Sequence, residues 1–72
     1  MKINQLIKKL RYDNDLTQNE LAELFDLNPE TVKRWEQGRS FPTFIKLIAI
    51  LKHFGKEYDI DYTDLDPDKT ED

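Results

Sequence analysis

The sequence predicts an all-α fold: a compact bundle of four to five short helices followed by an acidic C-terminal tail. Three observations lead there. Apolar residues recur at three- and four-residue spacing through most of the first 55 positions. Capping residues and glycines punctuate that pattern at the ends of short segments. A chain of 72 residues makes one small domain, in which every helix must lend its apolar face to one core.

Ile3, Leu6, Ile7 and Leu10 set out the first helix, over residues 2 to 12. Asp13-Asn14-Asp15 is a turn-prone break. Thr17 and Glu20 then form a T-x-x-E capping box, in which each side chain satisfies the other residue's backbone N–H. The helix it opens presents Leu21, Leu24 and Phe25 to the core and stops near Phe25, while Ala22 lets another helix approach closely. Asn28 caps a third helix, Pro29 fits its first position, and Gly38 closes it. Val32 and Trp35 share its inner side; Glu30, Lys33, Arg34 and Gln37 point elsewhere. After an RSFP loop, a fourth helix runs from about Pro42 to Gly55. Its stripe is Phe44, Leu47, Ile48, Leu51 and Phe54, with Ile50 at the edge and Ile45 outside. His53 sits where a cation complements the helix C-terminus. Tyr58, Ile60 and Tyr62 alternate with Asp59 and Asp61 as a strand would, yet Tyr58, Tyr62 and Leu65 also keep helical spacing. The closing DPDKTED reads as disordered.

The net charge of −4 conceals an uneven distribution. Residues 1 to 56 hold ten Lys/Arg and seven Asp/Glu, a balance of +3; residues 57 to 72 hold one Lys and eight Asp/Glu, a balance of −7. The expected organisation is therefore a basic domain, 1–56, and an acidic tail, 57–72, partly ordered and then flexible. With no cysteine, disulfides and thiolate metal sites are excluded, zinc fingers among them, and a single histidine weakens other metal and His-dependent catalytic readings. No apolar run is long enough to span a membrane and no signal peptide is visible, so a soluble cytoplasmic protein without metal or cofactor is expected.

Two short helices, 17 to 25 and 28 to 37, joined by a tight turn make a helix-turn-helix: the first braces on the DNA backbone and the second enters the major groove. The stretch LTQNELAELFDLNPETVKRWEQGRSFP resembles the Cro/C1-type (XRE-like) helix-turn-helix of phage repressors and small bacterial regulators. Thr17-Gln18, Glu20-Leu21-Ala22, Thr31-Val32, Trp35-Glu36, Gly38 and Pro42 carry the resemblance, which spans roughly residues 3 to 55. It implies a lambda-repressor-like DNA-binding fold. It further implies that Gln18 touches a phosphate, that Pro29, Glu30, Thr31 and Arg34 occupy base-reading positions, and that Gln37 and Arg39 touch phosphates. It also implies that Arg11 and Glu36 form an ion pair between the first and third helices. Two positions depart from the family pattern. Pro29 stands where many relatives carry a polar base-reading residue, and Asp26 where they carry a turn glycine.

Residue chemistry supports part of this independently. Arg34 can donate two bonds to guanine O6/N7, Glu30 can accept from cytosine N4, and Thr31 can bond a base or touch a thymine methyl. Lys33, Arg39 and Lys9 suit phosphates. Plainer readings stand beside these: Trp35 as core, Glu30 as a complement to its helix dipole, Lys33, Arg34 and Gln18 as a solvated face, and Arg11–Glu36 as structure only.

The tail has three readings: a solubilising appendage, a dimerisation element, or a competitor with phosphate for the basic face. For a homodimer, formed at least on DNA, the candidate contacts are Ile45, Ile50, Tyr58, Ile60 and Tyr62. The leading expectation is a regulator, more often a repressor, that binds a two-fold related double-stranded DNA site. The alternative is a protein-interaction module that keeps the fold without binding DNA. No cluster of nucleophile, base and oxyanion donor suggests an enzyme.

Overall fold

The computed structural model describes residues 1–65 and 70–71. Helices α1 (Ile3–Asp13), α2 (Gln18–Leu24), α3 (Pro29–Gln37) and α4 (Phe44–Phe54) form the bundle, with two-residue strands β1 (Phe41–Pro42) and β2 (Thr70–Glu71). The core is Ile3, Leu6, Ile7 and Leu10 of α1, Leu21 and Ala22 of α2, Val32 and Trp35 of α3, Phe41, and Leu47 and Ile50 of α4. Trp35 is the largest fully buried side chain, and α3 packs on both α1 and α2.

Three helices end in the same way. An N–H two or three residues past the helix bonds back five residues: Leu16 N–H to Arg11 C=O (2.9 Å), Leu27 N–H to Ala22 C=O (2.8 Å) and Arg39 N–H to Arg34 C=O (3.0 Å). The residue between must be left-handed. Asp15 (φ 54°), Asp26 (φ 54°) and Gly38 (φ 72°) supply it. The Asp26 turn thus adopts the backbone that glycine would give.

The outward-facing surface departs from the expected one in several places. Phe44 was expected on the core stripe but is 55% exposed, its ring edge-on to Tyr62 at 5.8 Å. Leu24 also faces outward, while Leu21 and Ala22 take the buried positions of α2. Ile50, expected at the stripe's edge and as a dimer contact, is fully buried and has no face left for a partner. α4 reads FIKLIAIL, so apolar residues surround it and spacing alone does not select the buried face. Phe41, expected in a loop, closes the core. His53 lies in the last turn of α4, edge-on to Phe25 at 5.2 Å and Phe54 at 5.1 Å.

No helix forms among the described residues 56–65. Instead this segment returns to the start of the chain. Asp61 N–H donates to Met1 C=O (2.8 Å), an isolated parallel bridge joins Lys2 to Asp61, and Lys2 Nζ lies 3.2 Å from Asp61 Oδ2. Hydrogen bonds from Thr63, together with Lys2, pull the Asp61 carboxyl down to about 2. Tyr58, Ile60 and Leu65 lie against the core. The disorder expected for residues 66–72 falls on 66–69 and 72, outside the described residues, and on Thr70–Glu71, which instead pair with β1 in parallel: Phe41 with Thr70, Pro42 with Glu71.

Candidate nucleic-acid interface

The second and third helices are fixed by their own sequence. Thr17 Oγ1 accepts from Glu20 N–H (3.1 Å), and Glu20 Oε1 accepts from Thr17 N–H (2.9 Å). The Thr17 N–H bond holds the Glu20 carboxylate below its ordinary range. Asn28 Oδ1 accepts from Glu30 N–H (2.9 Å), Pro29 occupies the first helical position, and Gly38 closes the far end. α3 is therefore bounded by local chemistry at both termini, independently of what its outer face carries.

That outer face is polar. Pro29, Glu30, Lys33 and Gln37 are exposed along it at three- and four-residue spacing, and Arg39 is exposed just beyond. Arg34 is half-buried, and one of its guanidinium nitrogens donates to Thr31 Oγ1 at 3.3 Å. Thr31 itself is only 6% exposed. Its hydroxyl thus helps hold Arg34 and offers little edge of its own.

Behind α3, Arg11 and Glu36 meet in a two-pronged pair: Nε to Oε2 at 2.7 Å and Nη2 to Oε1 at 2.8 Å. The side chains are 12% and 4% exposed. Arg11 Nη1 also donates to Leu16 C=O (3.2 Å), and Gln18 Nε2 approaches Glu36 Oε1 at 3.4 Å. One carboxylate therefore joins the end of α1, the start of α2 and the body of α3. The bonds to Glu36 hold the Arg11 guanidinium above its already high range.

The remaining candidate residues are dispersed. Lys9 pairs with Asp13 on α1 (3.3 Å), and Tyr58 OH donates to the same carboxylate (3.2 Å). Ile60 is half-buried, Tyr62 lies on Phe44, and Ile45 is 83% exposed. Tyr12, an exposed ring 4.6 Å from the Arg11 guanidinium carbon, carries no signal in the sequence. With Thr17, Gln18 and Asn19 it borders a shallow groove at the start of α2. Among the described residues, no cluster of His, Asp or Glu could hold a metal ion, and no helix is long and apolar enough to cross a membrane.

Comparison with known proteins agrees with this geometry. The Helix-turn-helix family model matches residues 7–60. The HTH-type transcriptional activator BcrR of Enterococcus faecalis is 32% identical over 59 residues, which cover 82% of this chain but 29% of that protein. The chain thus spans under a third of the length of the curated relative it matches. No solved structure matches it significantly. The family is one of DNA-binding transcription regulators, not of enzymes. With its bounded α3, its tight α2–α3 turn and this family match, the chain belongs to the Cro/C1-type (XRE-like) helix-turn-helix family.

Proposed function

We propose that this chain is a sequence-specific double-stranded DNA-binding regulator that inserts α3 into the major groove and represses by occupying its operator. The carrying observation is the polar outer face of α3, presented on a helix whose ends and inner face are fixed by other residues. In this reading Pro29, Glu30 and Arg34 meet base edges, and Thr31 contributes by holding Arg34. Arg34 donates to guanine O6/N7, and Glu30 accepts from cytosine N4. Gln18, Lys33, Gln37, Arg39 and Lys9 serve the phosphates, Lys9 by exchanging Asp13 for DNA.

Residues 1–56 form the DNA-binding unit and 57–72 the acidic tail, and the protein works in the cytoplasm. It binds as a homodimer, with two α3 helices about 34 Å apart on a two-fold related site. Ile45, exposed and next in sequence to Phe44, is the favoured dimer contact.

The test is selection of bound sequences from a random duplex pool by wild type and Arg34→Ala. A two-fold related motif for wild type, with one symmetric position blurred in the variant, is expected. No enrichment even at low salt would instead support a protein-interaction module. The name of the Enterococcus relative favours a second reading, activation. In vitro transcription from a promoter carrying the selected motif separates the two: repression lowers the transcript and activation raises it.

A further inference from the structure

Tyr12 and Gln18 are both positioned through one carboxylate. Glu36 holds the Arg11 guanidinium by two bonds, at 2.7 and 2.8 Å, and Gln18 Nε2 lies 3.4 Å from Glu36 Oε1. Arg11 Nη1 is tied in turn to Leu16 C=O at 3.2 Å, so the guanidinium has little freedom to turn. The Tyr12 ring lies under that fixed cation, 4.6 Å from ring centre to guanidinium carbon, within the range over which a cation attracts a ring face. Yet Tyr12 is 67% exposed. The contact sets the side chain in place without taking it into the core.

The ring forms part of the wall of the shallow groove that Thr17, Gln18 and Asn19 also border. Charge narrows what this groove can take. The Arg11 charge is matched by Glu36, and the other ionic side chain at the groove, among the described residues, is the exposed Asp15. A free anion therefore finds no net attraction there. A DNA strand is a different ligand, because cations elsewhere hold it: Lys33 and Arg39 are exposed on and just beyond α3. At the groove it needs only neutral donors, which the Gln18 amide and the Tyr12 hydroxyl are.

We propose that Tyr12 is a further DNA-backbone residue, its hydroxyl donating to the phosphate strand that Gln18 touches, with the ring set in place by Arg11. The proposal rests on the major-groove reading of α3 given above. A neutral donor displaces no counterion, so losing it weakens binding by the same factor at every salt concentration; losing a lysine contact also flattens the salt dependence. The contact reads no base, so the weakening is the same for all sequences.

The experiment titrates a short duplex of random sequence with the full chain, Tyr12→Phe and Lys33→Gln at several salt concentrations, and follows urea unfolding of each. Tyr12→Phe keeps the ring and its contact with Arg11 and removes the hydroxyl alone. It is expected to bind about tenfold more weakly, the lower end for a hydrogen bond to a charged group, with the log–log salt slope and the urea midpoint unchanged. Lys33→Gln is expected to reduce that slope by about 0.9. If Tyr12→Phe binds as wild type does while Lys33→Gln loses affinity, the proposal is overturned and the major-groove reading stands. A weaker Tyr12→Phe whose urea midpoint also falls would overturn it too, because the hydroxyl would then serve the fold. A wild type that binds no duplex even at low salt would overturn the DNA-binding reading, and the Tyr12 contact with it.

Discussion

Among the described residues, removing Arg11 leaves Glu36 as a buried carboxylate with a single long side-chain contact, from Gln18 Nε2 at 3.4 Å. Breaking one side of a buried pair costs about 3–5 kcal/mol, against about 0–1 for an exposed one. The slight exposure of Arg11 and the remaining Gln18 contact place Arg11→Met near the lower end, about 3 kcal/mol. Folded stability scales as roughly 0.05–0.15 kcal/mol per residue, or about 4–11 kcal/mol for a chain this short, so the loss is a large part of the total. Glu36→Gln keeps a neutral acceptor and should cost about 1–2 kcal/mol. The double variant Arg11→Met/Glu36→Leu removes both charges and should return to within about 1 kcal/mol of wild type, since apolar replacement of a buried pair is often neutral or better. Urea unfolding followed by Trp35 fluorescence measures all of these, with Trp35 buried next to Glu36 in sequence. With an m-value of about 1 kcal/mol/M, Arg11→Met should lower the midpoint by about 3 M. A loss below about 1 kcal/mol for Arg11→Met, or losses for Arg11→Met and Glu36→Leu alone that merely add in the double variant to within about 0.5 kcal/mol, would refute the claim that this pair fastens α1 to α3.

Asp26→Gly relieves a left-handed aspartate at the C-terminal end of α2 and should stabilise by about 0.5–1 kcal/mol in the same assay; a loss of stability would show that the Asp26 side chain supports the turn. Ile45→Lys should leave monomer stability within about 0.5 kcal/mol, since Ile45 is exposed, while weakening cooperative occupancy of a two-fold DNA site in footprinting; unchanged cooperativity would exclude this dimer face. The Asp61 carboxyl, lowered in the folded state, lends stability that is present above the ordinary carboxylate value near 3.8 and is lost as pH falls toward about 2. Carbon-13 NMR should find its midpoint near 2, with the Lys2–Asp61 bridge opening as it titrates, and a midpoint near 3.8 would contradict the observed bonding.

Local chemistry was legible where it acts over one turn of chain. The Thr17–Glu20 box, the Asn28 cap and the Gly38 closure each sit where the sequence predicts them, because their partners lie within two to five residues. The buried face of α4 was less legible, because a helix apolar on nearly every side leaves the choice between Phe44 and Ile50 to the packing. The same holds for Phe41, whose core position depends on how the chain turns after α3. The join between Lys2 and Asp61, apart from its ion pair, and the join between β1 and β2 run through backbone groups, which leave no pattern in side-chain identity. Of the candidate interface, the exposure of Glu30, Lys33 and Gln37 follows from Val32 and Trp35 turning inward, whereas the bond from Arg34 to Thr31 depends on side-chain rotamers that spacing does not set.

The two ends of α3 are closed by Asn28, Pro29 and Gly38, and its inner side is held by Val32, Trp35 and Glu36. Folding information and surface information are thus written in largely separate letters of one nine-residue helix. Glu30, Lys33 and Gln37 can change without disturbing a cap or the core. Such a helix behaves as an exchangeable reading head: descendants of one gene can acquire new target sites by a few surface substitutions, with no interval of instability between one specificity and the next.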